Sequence, residues 1–195
     1  MNKQSFKIFF ILISIFTITS CQSDDDSVCV PDQTLNTTTS NIAEVNTNKH
    51  QVYTDIVVNV SVNELWEVLT NFTDMPNWSS SFQGLSGNIS NGSEVTATYI
   101  FPNPSTGEPT ESQFTRILSY TEGKQFGWSA ESSIFPGIVD NHTFRVEAIS
   151  ECQSRFIQTD EFQGTNSNFT TEDLGNAALP SYNQFNLELK TEAEN

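Results

Sequence analysis

The stretch VYTDIVVNVSVNELWEVLTNFTDMPNW, Val52 to Trp78, decides the fold. Val52 to Val60 is dense in valine and isoleucine and reads as a half-buried strand. Val62, Leu65, Trp66, Leu69 and Phe72 then recur at helical spacing and make one broad apolar face. The helix start is marked twice. Ser61 and Glu64 form the S-x-x-E capping box, and Val60 and Leu65 stand where a hydrophobic staple closes. Pro76 prevents a long continuation, so Asp74 to Trp78 reads as a turn or a short second helix. A helix with this much aromatic and branched surface needs a large apolar partner.

Downstream segments supply that partner as strands. Phe82 to Ile89 is followed by a turn at Asn91-Gly92, and Glu94 to Phe101 places Val95, Ala97, Tyr99 and Phe101 on one face. The proline-rich run Pro102 to Pro109 reads as a loop. Glu111 to Tyr120 presents Phe114, Arg116, Leu118 and Tyr120. Lys124 to Ala130 presents Phe126, Trp128 and Ala130. Val139 to Ile149 presents Asp140, His142, Phe144, Val146 and Ala148. A hairpin at Glu151 to Ser154 leads into Arg155 to Phe162. Leu174 to Glu194 reads as a terminal helix with the stripe Tyr182, Phe185, Leu189 and Ala193, and with Pro180 near its start. An antiparallel run that curls around a helix is an α+β architecture. Fifteen phenylalanines and three tryptophans, in a chain only 36% hydrophobic, concentrate the apolar surface in large rings. Rings bury much area but leave awkward gaps, so an internal cavity is expected.

The N-terminus reads as an address. Lys3 and Lys7 precede an apolar run from Ile8 to Ile18 that is too short to span a bilayer, so residues 1–20 read as a signal peptide. Ile18-Thr19-Ser20-Cys21 resembles a bacterial lipobox, which implies cleavage before Cys21 and lipid attachment to its sulfur. The acidic run Asp24 to Asp26 resembles the export signal of Bacteroidetes-type surface lipoproteins; a solvated spacer is the alternative. Together these predict a cell-envelope, outer-membrane lipoprotein, facing outward or toward the periplasm. Residues 21–48 are polar and acidic and read as a flexible tether, with the folded domain at 49–195. Cys29 and Cys152 then remain, either as a disulfide or as two independent thiols. The formal charge of −16, which becomes about −18 once two leader lysines are lost, argues against nucleic acid and against electrostatic docking on anionic lipid.

The ordered set Asn63 to Phe72, Met75-Pro76-Asn77-Trp78, Gly87 with Gly92, Asn141-His142-Thr143-Phe144, Glu161-Phe162-Gln163-Gly164 and Tyr182 to Lys190 resembles the SRPBCC (START/Bet v 1-like) superfamily, nearest its polyketide cyclase/dehydrase-like members. The resemblance runs from Val52 to Glu194. It departs after Trp78, where three serines stand in place of the frequent Asn-Pro. It implies a helix-grip fold: an antiparallel sheet around the C-terminal helix, holding lipids, sterols, polyketides or other apolar molecules. In a minority of members cyclisation or dehydration occurs there. The residues expected to line the cavity are Trp66, Trp78, Phe101, Phe114, Phe126, Trp128, His142, Phe144, Phe162, Tyr182, Phe185 and Asn186.

Chemistry is sparse. His142 is the one candidate acid–base residue, with Asp140, Asp160 and Arg116 in reach if their strands adjoin; His50 lies at the domain's edge. A lone histidine on an apolar face is more often a hydrogen-bonded core residue. Two separated histidines without Cys-x-x-Cys or His-x-x-x-His spacing give no metal site, and no cofactor motif is present. The expectation is therefore a lipid-anchored protein that binds or carries a small apolar ligand. The alternatives are a cyclase or dehydratase using His142, or an interaction module with a filled core.

Overall fold

The computed structural model describes residues 29–103 and 105–195. The leader, Cys21, the acidic run at Asp24 to Asp26 and Pro104 lie outside the described residues. Among the described residues, nine strands and two α-helices follow in order: β1 Thr38–Asn46, β2 Lys49–Val58, α1 Val62–Thr70, β3 Phe82–Gly87, β4 Glu94–Pro102, β5 Pro109–Ile117, β6 Ser119–Thr121, β7 Gln125–Glu131, β8 Ile138–Ser150, β9 Gln153–Gly164 and α2 Thr171–Ala193. All strand pairings are antiparallel. The ladders divide them into a six-stranded sheet, ordered β1-β2-β9-β8-β7-β6, and a three-stranded sheet, β3-β4-β5. The long α2 lies against the first, chiefly over β2 and β9. This is the expected helix grip.

The capping box opens α1 as the sequence indicates. Ser61 Oγ accepts the Glu64 backbone N–H at 3.3 Å, and Glu64 Oε2 accepts the Ser61 N–H at 2.9 Å. Ser61→Ala should lower stability by about 1 kcal/mol. A chemical-denaturation midpoint unchanged from the parent would show that the helix is set by packing alone.

Four readings of the sequence need correction. The supposed flexible tether contains β1, whose residues pair with β2 from Thr38 opposite Ile56 to Asn46 opposite Lys49. All its side chains are exposed except the half-buried Ile42. It is held by the backbone ladder and by Asp55, whose Oδ1 accepts the Thr39 N–H at 2.9 Å. A strand that buries no face leaves no periodic signature. The segment Glu111 to Tyr120 is not one strand: β5 pairs with β4 and β6 with β7, and the chain changes sheet at the buried Leu118. Ala148 is exposed rather than inward: it lies near the end of β8, just before the ladder becomes irregular between Ala148 and Ser150. Pro180 sits well inside α2, on its solvent side, because the helix begins earlier, at Thr171, under a second capping box made by Thr170 and Asp173. Water can satisfy the carbonyl that Pro180 leaves free.

The N-terminal segment is tied to the far end of the sheet. Cys29 and Cys152 form a disulfide. Beside it the Asp32 N–H donates to Gln153 Oε1 at 2.8 Å, and Gln153 Nε2 donates to Asp32 O and to Asn59 Oδ1.

Candidate functional site

Alternation on β8 and β9 creates the site. Phe156, Gln158, Asp160 and Phe162 share one face of β9; Asp140, His142, Phe144 and Val146 share one face of β8. The register then sets Asp160, His142 and Trp128 in one row across β9, β8 and β7. Arg116 reaches this row from β5, and Tyr182 from α2. The result is a buried polar cluster between two apolar ones. On one side is the main core around Phe126, Phe144, Phe156 and Phe185; on the other are Val52, Ile138, Phe162 and Leu174.

His142 is only 3% exposed and Asp160 1%. Gln158 Nε2 lies 2.8 Å from His142 Nε2, which assigns the imidazole proton to Nδ1, 3.9 Å from Asp160 Oδ2. The Tyr182 hydroxyl donates to the same Asp160 oxygen at 2.5 Å. The imidazole is packed between the rings of Phe144, at a 4.4 Å centroid distance, and Tyr182, at 4.8 Å. Arg116 lies 3.8 Å from Asp140 and 5.1 Å from the centre of the Phe114 ring.

Burial controls the charge states. It pushes His142 down to about 3, with the Arg116 guanidinium adding to the effect. Burial, and then the charge of Asp140, drive the Asp160 carboxyl well above its ordinary range against the opposing Tyr182 hydrogen bond. Asp140 is raised by burial, with Arg116 and the Trp128 indole opposing. The hydroxyls of Tyr182 and Tyr99 are raised well above normal, first by burial and then by the nearby carboxylates. One guanidinium serves two carboxyls. Arg116 stands nearest Asp140, and burial favours the neutral form of Asp160 beside an imidazole that burial also favours neutral.

Five buried polar atoms of this cluster make no well-formed hydrogen bond, Arg116 Nε, Trp128 Nε1, Asp140 Oδ1, Gln158 Oε1 and Asp160 Oδ1, although the Trp128 indole stands close enough to the Asp140 carboxyl, and the Asn141 N–H to that of Asp160, to favour their charged forms. Each such atom costs about 1–3 kcal/mol. They are concentrated in one place, around Asp140, Gln158 and Asp160.

The residues expected to line a single cavity divide instead into separate groups. Phe126, Phe144 and Phe185 fill the centre; the rings of Phe126 and Phe144 stack at 4.8 Å, and Phe82 closes on Phe144 at 5.3 Å. Trp66 is core at the α1 end, its indole N–H donating to Glu122 at 2.9 Å. Trp78 is half-buried against Phe185. Phe101 and Phe114 flank Tyr99 on the three-stranded sheet, with Phe101 39% exposed. Phe162 belongs to the second apolar cluster. Trp128, His142 and Tyr182 belong to the polar cluster. Asn186 faces a groove of about 230 Å³ between α2 and the β1–β2 edge, and a second groove of about 320 Å³ runs beside Trp78 and α2. Large rings pack against one another at core density, and the gaps close.

Sequence reading named His142 and its neighbours Asp140, Asp160 and Arg116, but missed Gln158 and treated Tyr99 only as part of an apolar face. The signal for Gln158 was available: with Asp160 it forms a polar pair at inward positions flanked by Phe156 and Phe162.

Residues 49–194 match the family described as "Polyketide cyclase / dehydrase and lipid transport". No curated protein matches the sequence. Among solved structures, a di-domain ARO/CYC protein, BexL, superposes with a TM-score of 0.58 at 14% identity, covering 74% of this chain; this chain spans about half, 46%, of that one. A START superfamily protein from Mycobacterium smegmatis gives 0.56 at 11% identity, covering 74% of this chain and 97% of that chain. Human STARD10 gives 0.51 at 9% identity, covering 87% and 82%. At these identities the likeness is one of fold.

Proposed function

Since the chain belongs to the polyketide cyclase / dehydrase and lipid transport family, we propose that it binds a small ligand in the grip, with the apolar body against the aromatic core and the polar end at the Asp160–His142–Arg116 cluster. The observation that carries this reading is the set of five buried polar atoms without well-formed hydrogen bonds at the edge of a ring-filled interior. Protein interiors rarely hold unpaired polar atoms, and binding sites are where they are kept. Entry requires the rings to part between α2 and the three-stranded sheet. The role is binding or carriage rather than turnover.

The protein is further proposed to be a lipoprotein of the bacterial outer membrane, anchored through Cys21. The lipobox supports this, as does a disulfide at Cys29 and Cys152, a bond that persists in oxidising compartments. Cys21→Ser should release the protein from the membrane fraction and remove the diacylglyceryl mass from its N-terminal peptide. Membrane retention of that variant would remove the anchor from the proposal.

The direct test is native mass spectrometry with organic extraction on protein purified from its own envelope. A reproducible apolar molecule at near-stoichiometric amount is expected. Empty protein that also excludes apolar fluorescent probes would instead support an interaction module acting through its surface.

A catalytic reading of the same cluster rests on Asp160 rather than His142, since His142 Nε2 is already engaged by Gln158 while the neutral Asp160 keeps one oxygen free. It would require turnover that disappears in Asp160→Asn while ligand still binds.

A further inference from the structure

β1 is the element that the family does not account for. The match begins at residue 49, so Thr38–Asn46 stands outside it, at the edge of the six-stranded sheet. No side chain of β1 is fully buried, yet the Cys29–Cys152 bridge and the Asp32–Gln153 hydrogen bonds fix the chain just ahead of it. The Val57 N–H donates to Thr37 O at 3.2 Å, which sets the alternation. Odd-numbered residues of β1 turn their main-chain groups toward β2, and Thr38, Ser40, Ile42 and Glu44 turn theirs outward. Among the described residues nothing pairs with that outward row. We propose that this edge is the contact between two copies of the chain, joined by an antiparallel β1–β1 ladder into one continuous sheet. The proposal stands independently of the ligand-binding reading.

Charge selects the occupant. The chain carries 24 acidic against 8 basic residues, so two copies repel over most of their surfaces. Thr38–Asn46 has a single charged residue, Glu44, and neither the lysine nor the proline with which edge strands ordinarily block pairing. The neighbouring flank of α2 is equally bare, since Leu174 to Leu187 contains no charged residue. Asn183 and Leu187 border β1 along the groove they share with Thr38 and Ser40. Asn183 Nδ2 donates to Ser40 Oγ at 2.9 Å, and Leu187 is 52% exposed. Asn176 and Pro180 continue this stripe at helical spacing and are exposed. Interface cores are depleted in charge. A different protein recruited to an acidic chain would be met through its carboxylates; a second copy is met with least repulsion where they are missing. Screening within about 8 Å at physiological salt lets a contact confined to this strip avoid the charges elsewhere. A register centred on Ser40 or Ile42 also keeps the two Glu44 side chains from standing opposite each other. Such a pairing uses both β1 edges and closes on itself, leaving only the short β6 at each end of the joined sheet.

The test is sedimentation velocity on the full mature chain, with Cys21→Ser so that no detergent is needed, from about 1 to about 100 μM. A monomer–dimer equilibrium within that range is expected, and added salt should not dissociate it. Ser40→Pro removes an outward N–H and no bond to β2. Leu187→Glu sets like charges on the bare flanks of the two copies. Each should shift the dissociation constant at least tenfold toward monomer while leaving the far-UV circular dichroism unchanged. Amide exchange gives an independent readout: the Ser40 and Ile42 N–H groups should exchange freely in dilute protein and at least tenfold more slowly in the dimer. A chain that stays monomeric at the highest concentration, or that forms open-ended oligomers, would overturn the proposal. So would a dimer that Leu187→Glu leaves intact, or one whose Ser40 and Ile42 amides stay fast, since its contact lies elsewhere. The parent protein's exchange pattern decides the matter even if Ser40→Pro folds poorly.

Discussion

Replacing Cys29 and Cys152 together by serine should lower the unfolding free energy by about 4–5 kcal/mol. The bridge spans a sequence separation of 123 residues. It therefore closes β1 through β8 into one loop in the unfolded chain, leaving only β9 and α2 outside, and chain-entropy loss grows with the logarithm of that loop. The loss is a large share of the 5–15 kcal/mol typical of a domain. With a urea dependence of about 2 kcal/mol per molar, the denaturation midpoint should fall by roughly 2 M. Reduction of the parent protein by a thiol reagent should reproduce the shift. β1 should be the first element lost, because beyond the bridge it is retained by its ladder to β2, Ile42 and a few polar contacts. Amide exchange of Thr38 to Asn46 would report this. A stability change below about 1 kcal/mol would mean that the unfolded chain already holds the two ends together.

His142→Gln should reshape the acid limb of the stability curve. In the unfolded chain the imidazole titrates at 6.5; in the fold burial and Arg116 bring it down to about 3. Above pH 6.5 both states are neutral and His142 contributes no pH dependence. As pH falls from 6.5 toward 3 the unfolded state takes up a proton that the folded state refuses, and stability is lost at about 1.4 kcal/mol per pH unit. The groups that face this imidazole act in the opposite sense. Asp160 and Asp140 have raised folded values, so their contribution is complete below 3.8 and disappears as pH rises through the folded value. Parent protein therefore shows a partly cancelled profile. The variant, keeping the carboxyls and losing the histidine, should gain about 3 kcal/mol relative to the parent between pH 7 and pH 4. Parallel profiles for the two proteins would show that solvent reaches His142 and that its titration is ordinary.

The elements that build the grip were legible because each buries one face. Ser61 with Glu64 marked the start of α1. The stripe Tyr182, Phe185 and Leu189 marked α2, and alternation on β8 marked the inward row that holds Asp140 and His142, whereas the inward row of β9 with Gln158 and Asp160 was not read. β1 was hidden for the complementary reason. Its residues bury almost nothing, and its stability lies in a backbone ladder, a disulfide and a few polar contacts that polar composition does not encode.

The sequence by itself determined the helix grip, the inward alternation and the presence of charged residues on the aromatic faces. These follow from local periodicity and capping, which act over a few residues. Tertiary structure decided that the phenylalanines fill the centre instead of enclosing it, and that Asp160, His142 and Trp128 fall into one row with Arg116 and Tyr182 closing on it. It also decided that burial favours the neutral form of both Asp160 and His142. Those outcomes depend on strand register, on the approach of a second sheet and on the removal of water. Each joins residues tens of positions apart, and none acts within the span of a single element.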